Sequence, residues 1–157
     1  MYVMEERIEK ATALFKEGYN CSQSVVAAFA DLYGFTPEQA LKMSASFGGG
    51  IGRMRQTCGA ACGLFMLAGF ESGCTDGKDR EGKEANYKLV QQFAEEFRKR
   101  NGSLICAELL GLAKSAPTPT TPEARTAEYY KKRPCVKMVE EAARIFADYL
   151  KEKQETV

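Results

Sequence analysis

The chain has 157 residues, 45% of them hydrophobic and 27% charged, a length that suits one domain around one core rather than two. Its 22 Lys and Arg against 21 Asp and Glu leave a formal charge of +1, which supplies no global field for a polyanion and argues against nucleic acid as a partner. The absence of His removes the usual base of a nucleophile pair, the imidazole ligands of zinc and the axial imidazole of most haems, so any metal chemistry falls to thiolates and carboxylates.

The first ten residues carry Glu5, Glu6, Arg7, Glu9 and Lys10 and offer no apolar core for a signal peptide, which predicts a cytoplasmic location. Ile8, Ala11, Leu14 and Phe15 recur at helical spacing and predict a first helix over 5–17, stopped by Gly18. A second helix is expected from the capping residue Asn20 through Val25, Val26, Ala28, Phe29 and Leu32 to Gly34. Thr36-Pro37-Glu38-Gln39 combines a capping Thr, Pro at the first helical position and Gln at the third, and opens a third helix over 37–46.

The glycines of 47–52 interrupt the pattern and predict a loop. Thr57 is the expected cap of the next segment, 58–68, which has no polar face and is predicted to be a buried central helix. The longest apolar stretch, 58–70, is too short and too interrupted by glycine for a membrane span. Gly59 and Gly63 lie four apart on one face, where a second backbone can pack closely. Ala85, Leu89, Val90, Phe93, Ala94 and Phe97 mark a long helix ending near Asn101-Gly102, and Ser103 caps a short one over 104–110. Three Pro and three Thr in 116–122 predict an exposed connection, and Pro134 opens a last helix through Val136, Val139, Ala142, Ala143, Ile145, Phe146, Tyr149 and Leu150. The expected fold is an all-α, single-domain bundle of six to seven helices over 1–157. Its predicted core is Leu14, Phe15, Val25, Phe29, Leu64, Phe65, Leu67, Leu89, Phe93, Val139 and Phe146.

The six cysteines matter by position. Cys21 follows Asn20, Cys58 follows Thr57, Cys135 follows Pro134, and Cys106 lies in the first turn after Ser103. A helix N-terminus favours a negative side chain and lowers a thiol pKa from about 8.5 toward 3.5–7.5. Arg53, Arg55 and Arg133 act in the same direction if they point inward. Cys62 is one turn past Cys58, too far for a disulfide within an intact helix; it is a buried apolar thiol or an additional metal ligand. Cys74 is either a resolving thiol or an exposed one. No C-x-x-C occurs, which argues against thioredoxin-type exchange, a zinc ribbon and c-type haem attachment. The loop glycines Gly49, Gly50 and Gly52 with Arg53 fail the nucleotide-binding patterns, and are read instead as backbone that approaches the thiols and offers amides to sulfur or to a bound anion.

The ordered set Tyr19-Asn20-Cys21-Ser22-Gln23-Ser24-Val25, then Phe47-Gly48-Gly49-Gly50-Ile51-Gly52, then Cys58-Gly59-Ala60-Ala61-Cys62-Gly63, then Cys106-Ala107-Glu108-Leu109-Leu110-Gly111 and Cys135-Val136-Lys137-Met138-Val139 resembles the redox-active C_GCAxxG_C_C family. The resemblance covers about 8–150 and singles out Cys21, Cys58, Cys106 and Cys135, the four reached by the capping argument. It implies a redox role and a partner in electron transfer or transport, without defining a substrate. The expected function is therefore thiol-based redox chemistry at four converging helix starts, as a reversible dithiol/disulfide or as ligands of an iron–sulfur cluster. The alternative is a non-catalytic helical module that binds another protein and keeps a structural thiolate metal site or simply buried thiols.

Overall fold

The computed structural model describes residues 2–156; Met1 and Val157, the ends of the predicted single domain, lie outside them. Among the described residues there are eight α-helices and no β-strand, which bears out an all-α fold with one helix more than expected. Helix α1 (Tyr2–Lys16) buries Ile8, Ala11 and Phe15, while Leu14, assigned to the core from its spacing, is only half-buried. Asn20 caps α2 (Cys21–Ala27) with a full capping box to Gln23. The α-helix ends earlier than expected, and a 3₁₀ turn over Ala30–Tyr33 closes on Gly34 at φ +81°. The run Val25 to Ala30 is buried all round, so this segment must feed two apolar clusters at once, and the tighter turn re-aims its last side chains.

The predicted box at Thr36 and Gln39 opens α3 (Pro37–Ser44), and a second 3₁₀ turn, Ala45–Phe47, takes the residues expected to extend it. The central helix is α4 (Gly59–Ser72), where Leu64 and Leu67 have no exposed surface and each contribute about 1.5–3 kcal/mol of burial. Phe65 is half-buried, a correction to the core set. Helix α5 (Arg80–Asn101) starts at Asp79, whose carboxylate accepts from the Gly82 amide, and stops at Gly102. The short α6 is Cys106–Leu109, α7 is Ala127–Lys132 and α8 is Cys135–Glu155.

Helices α2, α5 and α8 all pack on α4, and α8 also pairs with α1. Phe146 of α8 meets Phe29 edge-on at 5.0 Å and Phe93 at 6.0 Å, joining α2, α5 and α8 through one aromatic cluster. Predicted core residues Val25, Leu89 and Val139 are buried in the same cluster. No described helix is long and apolar enough to cross a membrane.

Candidate functional site

Four helix starts meet around one cavity of about 330 Å³. Cys21 and Cys135 are the first residues of α2 and α8, Cys106 is the first of α6, and Cys58 caps α4; all four line the cavity. The predicted loop residues Gly49, Gly50, Gly52 and Arg53 line it too. Cys62 does not: its thiol faces the Thr57 carbonyl at 3.7 Å and burial pushes it up to about 11, the behaviour of a structural thiol. Cys74 lies beyond the far end of α4, roughly 20 Å from Cys58 along a helix rising 1.5 Å per residue, which removes it as a resolving thiol for this site. Its Sγ instead lies 3.8 Å from the Asp76 and Asp79 carbonyls.

Local sequence explains how each thiol is held. The Asn20 side-chain oxygen accepts from the Gln23 amide, and its Nδ2 donates to the Ala45 carbonyl at 2.9 Å, tying the start of α2 to the turn before the glycine loop. Gly48 gives Asn20 room: a Cβ there would lie 2.3 Å from the Asn20 side chain. At Gly59 a Cβ would meet the Phe47 carbonyl at 2.9 Å and the Cys21 Cβ at 3.2 Å, so glycine lets α2 and α4 come together beside Cys21. Cys58 rather than Thr57 is the N-cap of α4, and the Ala60 and Ala61 amides of the first turn oppose, without cancelling, the upward push of burial on its thiol. Ser103 does not cap α6 directly; its Oγ accepts from the Ile105 amide and donates to Glu108.

The glycine loop is a left-handed turn. Residues 49–53 run at φ between +55° and +73°, and Arg55 follows at +61°. Three of these residues, Ile51, Arg53 and Arg55, carry a Cβ, at a cost of roughly 1–2 kcal/mol each. The loop compensates by closing on itself: the amides of 51–56 all donate to carbonyls of 46–51. The Gly52 and Arg53 amides, expected to serve sulfur or an anion, are therefore used within the loop itself. What the turn does is deliver 55–58 to 104–107, where Thr57 pairs with Ile105, the Cys58 amide donates to the Leu104 carbonyl at 2.7 Å, and the Cys106 amide donates to the Gln56 carbonyl at 2.6 Å. Gly50 is indispensable there, since a Cβ would sit 2.6 Å from the Cys106 Cβ.

The thiols are not equivalent. Cys21 and Cys135 line the same cavity and act on each other: the Cys21 thiol, aided by Arg133, Arg125 and Arg55, lowers Cys135 to about 7 against the opposing effect of burial. The neighbouring Cys135 sulfur and burial hold Cys21 well above an ordinary thiol. Burial pushes Cys58 up to about 12 and also raises Cys106, although Arg55 Nη1 donates to the Cys106 sulfur at 3.7 Å. Helix starts were expected to favour four thiolates; for Cys58 and Cys106 desolvation outweighs the amides and the dipole, for Cys21 the neighbouring Cys135 does so first, and of the four Cys135 alone is poised near neutrality.

The wall missed by sequence reasoning is the Pro/Thr-rich strap and α7. The strap is exposed as predicted, yet Thr120, Pro122, Glu123 and Arg125 line the cavity. Arg125 donates to the Phe15 and Tyr19 carbonyls at 2.6 and 3.0 Å and lies 4.2 Å over the Phe15 ring. Arg53 donates to the Pro119 and Thr121 carbonyls, and Glu123 pairs with both Arg53 and Arg133. Helix α7 escaped notice because it is six residues long and buries none of them, so it shows no apolar stripe; Thr126, which caps it, was the available signal.

Among the described residues no group of three or more Cys, Asp or Glu stands at a spacing that holds a metal ion. The four thiols share a cavity, and within it Cys21 and Cys135 shift each other's pKa most strongly. The family model described as "Putative redox-active protein (C_GCAxxG_C_C)" matches residues 19–149, which includes all four cavity cysteines. No curated protein and no solved structure matches the chain.

Proposed function

Because the chain belongs to the C_GCAxxG_C_C redox-active family, we propose that it is a thiol redox protein whose working dithiol is Cys21 and Cys135. The observation that carries this reading is that Cys21 and Cys135 head two helices on one cavity that Arg125 and Arg133 also line, with Cys135 lowered to about 7 and Cys21 raised, so one sulfur is prepared as thiolate and the other as its protonated neighbour. Cys135 attacks one sulfur of a disulfide on the exchange partner and expels the other as thiolate. Cys21 then gives up its proton to that released thiolate and attacks the Cys135 sulfur, freeing the partner's second thiolate. Two electrons pass from the protein dithiol to the partner disulfide, and one intramolecular disulfide remains.

Cys58 and Cys106 line the same cavity but are held protonated by burial, so neither competes with Cys135 for the first attack. An iron–sulfur cluster on Cys21, Cys58, Cys106 and Cys135 is the second reading, favoured by the convergence of the four sulfurs on one cavity. The test is oxidation of the reduced protein by a limiting disulfide followed by peptide mapping, alongside iron and sulfide analysis after oxygen-free purification. A Cys21–Cys135 linkage forming first, with no stoichiometric iron, is the expected result. A first linkage that excludes Cys135, or four-thiolate iron, overturns it.

A further inference from the structure

The cavity around the thiols is lined by four arginines and a single carboxylate, Glu123. Arg125 is committed to the Phe15 and Tyr19 carbonyls and Arg55 to the Cys106 sulfur, while Arg53 spends its Nη1 on the Pro119 and Thr121 carbonyls and turns its Nη2 to Glu123. Arg53 and Arg133 face each other across Glu123 and are largely withdrawn from water, with side chains 17% and 19% exposed. Glu123 itself is 45% exposed and sits on the strap, so it is a weak tether in a strong seat for a carboxylate. Arg133 lies two residues before Cys135, and two residues span at most about 7 Å, the reach from a carboxylate to a sulfur a few bonds away. A volume of about 330 Å³ is at the small end of ligand pockets and suits a small molecule.

Resting on the redox reading above, we propose that the partner disulfide is a small one bearing carboxylates, one of which displaces Glu123 from Arg53 and Arg133 and so sets its sulfur against Cys135. The exchange balances within the site. The Cys135 thiolate forms a bond to one substrate sulfur and the other half leaves as thiolate, which takes the Cys21 proton. Cys21 then attacks the Cys135 sulfur and the second half leaves as thiolate. The substrate disulfide gains two electrons and becomes two small thiols, one of them protonated, while the protein dithiol becomes a disulfide. Glu123 returns to the arginines once the product leaves.

The test uses three small disulfides that differ in charge: 3,3′-dithiodipropionate, 2-hydroxyethyl disulfide and cystamine. Each oxidises the fully reduced protein, and each rate is divided by that disulfide's rate with free 2-mercaptoethanol. The dianionic disulfide is expected to be at least about tenfold faster than the neutral one and the dication slower than both. Arg53→Met combined with Arg133→Met brings the anionic-to-neutral ratio close to one; taking the ratio within one variant cancels any change in the Cys135 thiolate fraction. Glu123→Gln, which keeps the strap's shape, lowers the half-saturating concentration of dithiodipropionate. Equal corrected rates for the three disulfides, a preference that survives the double arginine variant, or an unchanged half-saturation in Glu123→Gln each overturn the proposal. Equal rates with a Cys21–Cys135 bond formed leave the redox reading standing; failure of all three disulfides to form that bond removes both.

Discussion

At the scale of single residues the site is an asymmetry between two sulfurs. Cys135 owes its depressed pKa first to the neighbouring Cys21 thiol and then to Arg133, Arg125 and Arg55, all of which favour the thiolate against burial. Its alkylation by iodoacetamide is therefore expected to rise with pH through about 7 and level off, while Cys58, pushed up to about 12, stays unreactive across the same range. Cys21→Ala removes that neighbour; the Cys135 midpoint moves up, and the rate at pH 7 falls by about three- to tenfold, since each unit of pKa is close to tenfold in thiolate on the acid side. Peptide-resolved alkylation between pH 5 and 10 reads both results, and an unchanged midpoint in Cys21→Ala contradicts this account of the pair. The sequence alone places these sulfurs correctly at helix starts. It does not rank them, because the ranking depends on how deeply each is buried, which no local pattern encodes.

At the scale of elements, close approach between backbones decides where the sulfurs end up. Gly59 and Gly63 form the packing face that their spacing predicts, and α2 lies against them: a Cβ on Gly63 would come within 3.0 Å of the Ser22 carbonyl and Val25. Gly59 is tighter still, because the atom it would strike first belongs to the Phe47 backbone. Gly69, on the same helix, has open space around it, with no neighbouring atom within 4 Å of where a methyl would sit. Gly59→Ala is accordingly expected to destabilise the fold by about 1–3 kcal/mol and to disturb Cys21, whereas Gly69→Ala gains about 0.5–1 kcal/mol from helix propensity. Urea denaturation of the two variants checks the sign of each. The capping box at Asn20 and Gln23 was legible because its chemistry is local, and so was the box at Thr36 and Gln39. The left-handed turn was not, since Ile51, Arg53 and Arg55 have no intrinsic reason to adopt positive φ; they do so because 55–58 must pair with 104–107.

At the scale of the whole molecule, the proposed redox pair couples distant parts of the chain. Cys21 and Cys135 are 114 positions apart, and between them lie α3 to α7, the glycine turn and the strap. The bundle's burial pattern was readable from apolar periodicity, but the grouping of four helix starts at one end is a property of the packed fold, and the strap's inward edge depends on Arg53, Arg125 and Arg133 finding partners across it. A disulfide between the two sulfurs would cross-link the start of α2 to the start of α8 and close a loop of more than a hundred residues in the unfolded chain. In the chain-entropy picture such a closure stabilises the folded state by up to about 4–5 kcal/mol, reduced by whatever distortion the new bond imposes on the helix starts. The reduced form has its own compensation, the stabilisation of the Cys135 thiolate by Cys21 and the arginines, which oxidation removes. Loop closure is the larger of the two, so the oxidised protein is expected to unfold at higher urea and higher temperature than the reduced one. The paired variant Cys21→Ser with Cys135→Ser should show no redox dependence beyond any bond between Cys58 and Cys106. Denaturation of both redox states at matched pH measures the difference. An oxidised form that unfolds more easily means that strain at the helix starts exceeds the entropy gained, and such a disulfide is readily reduced and makes the protein an oxidant of its partners.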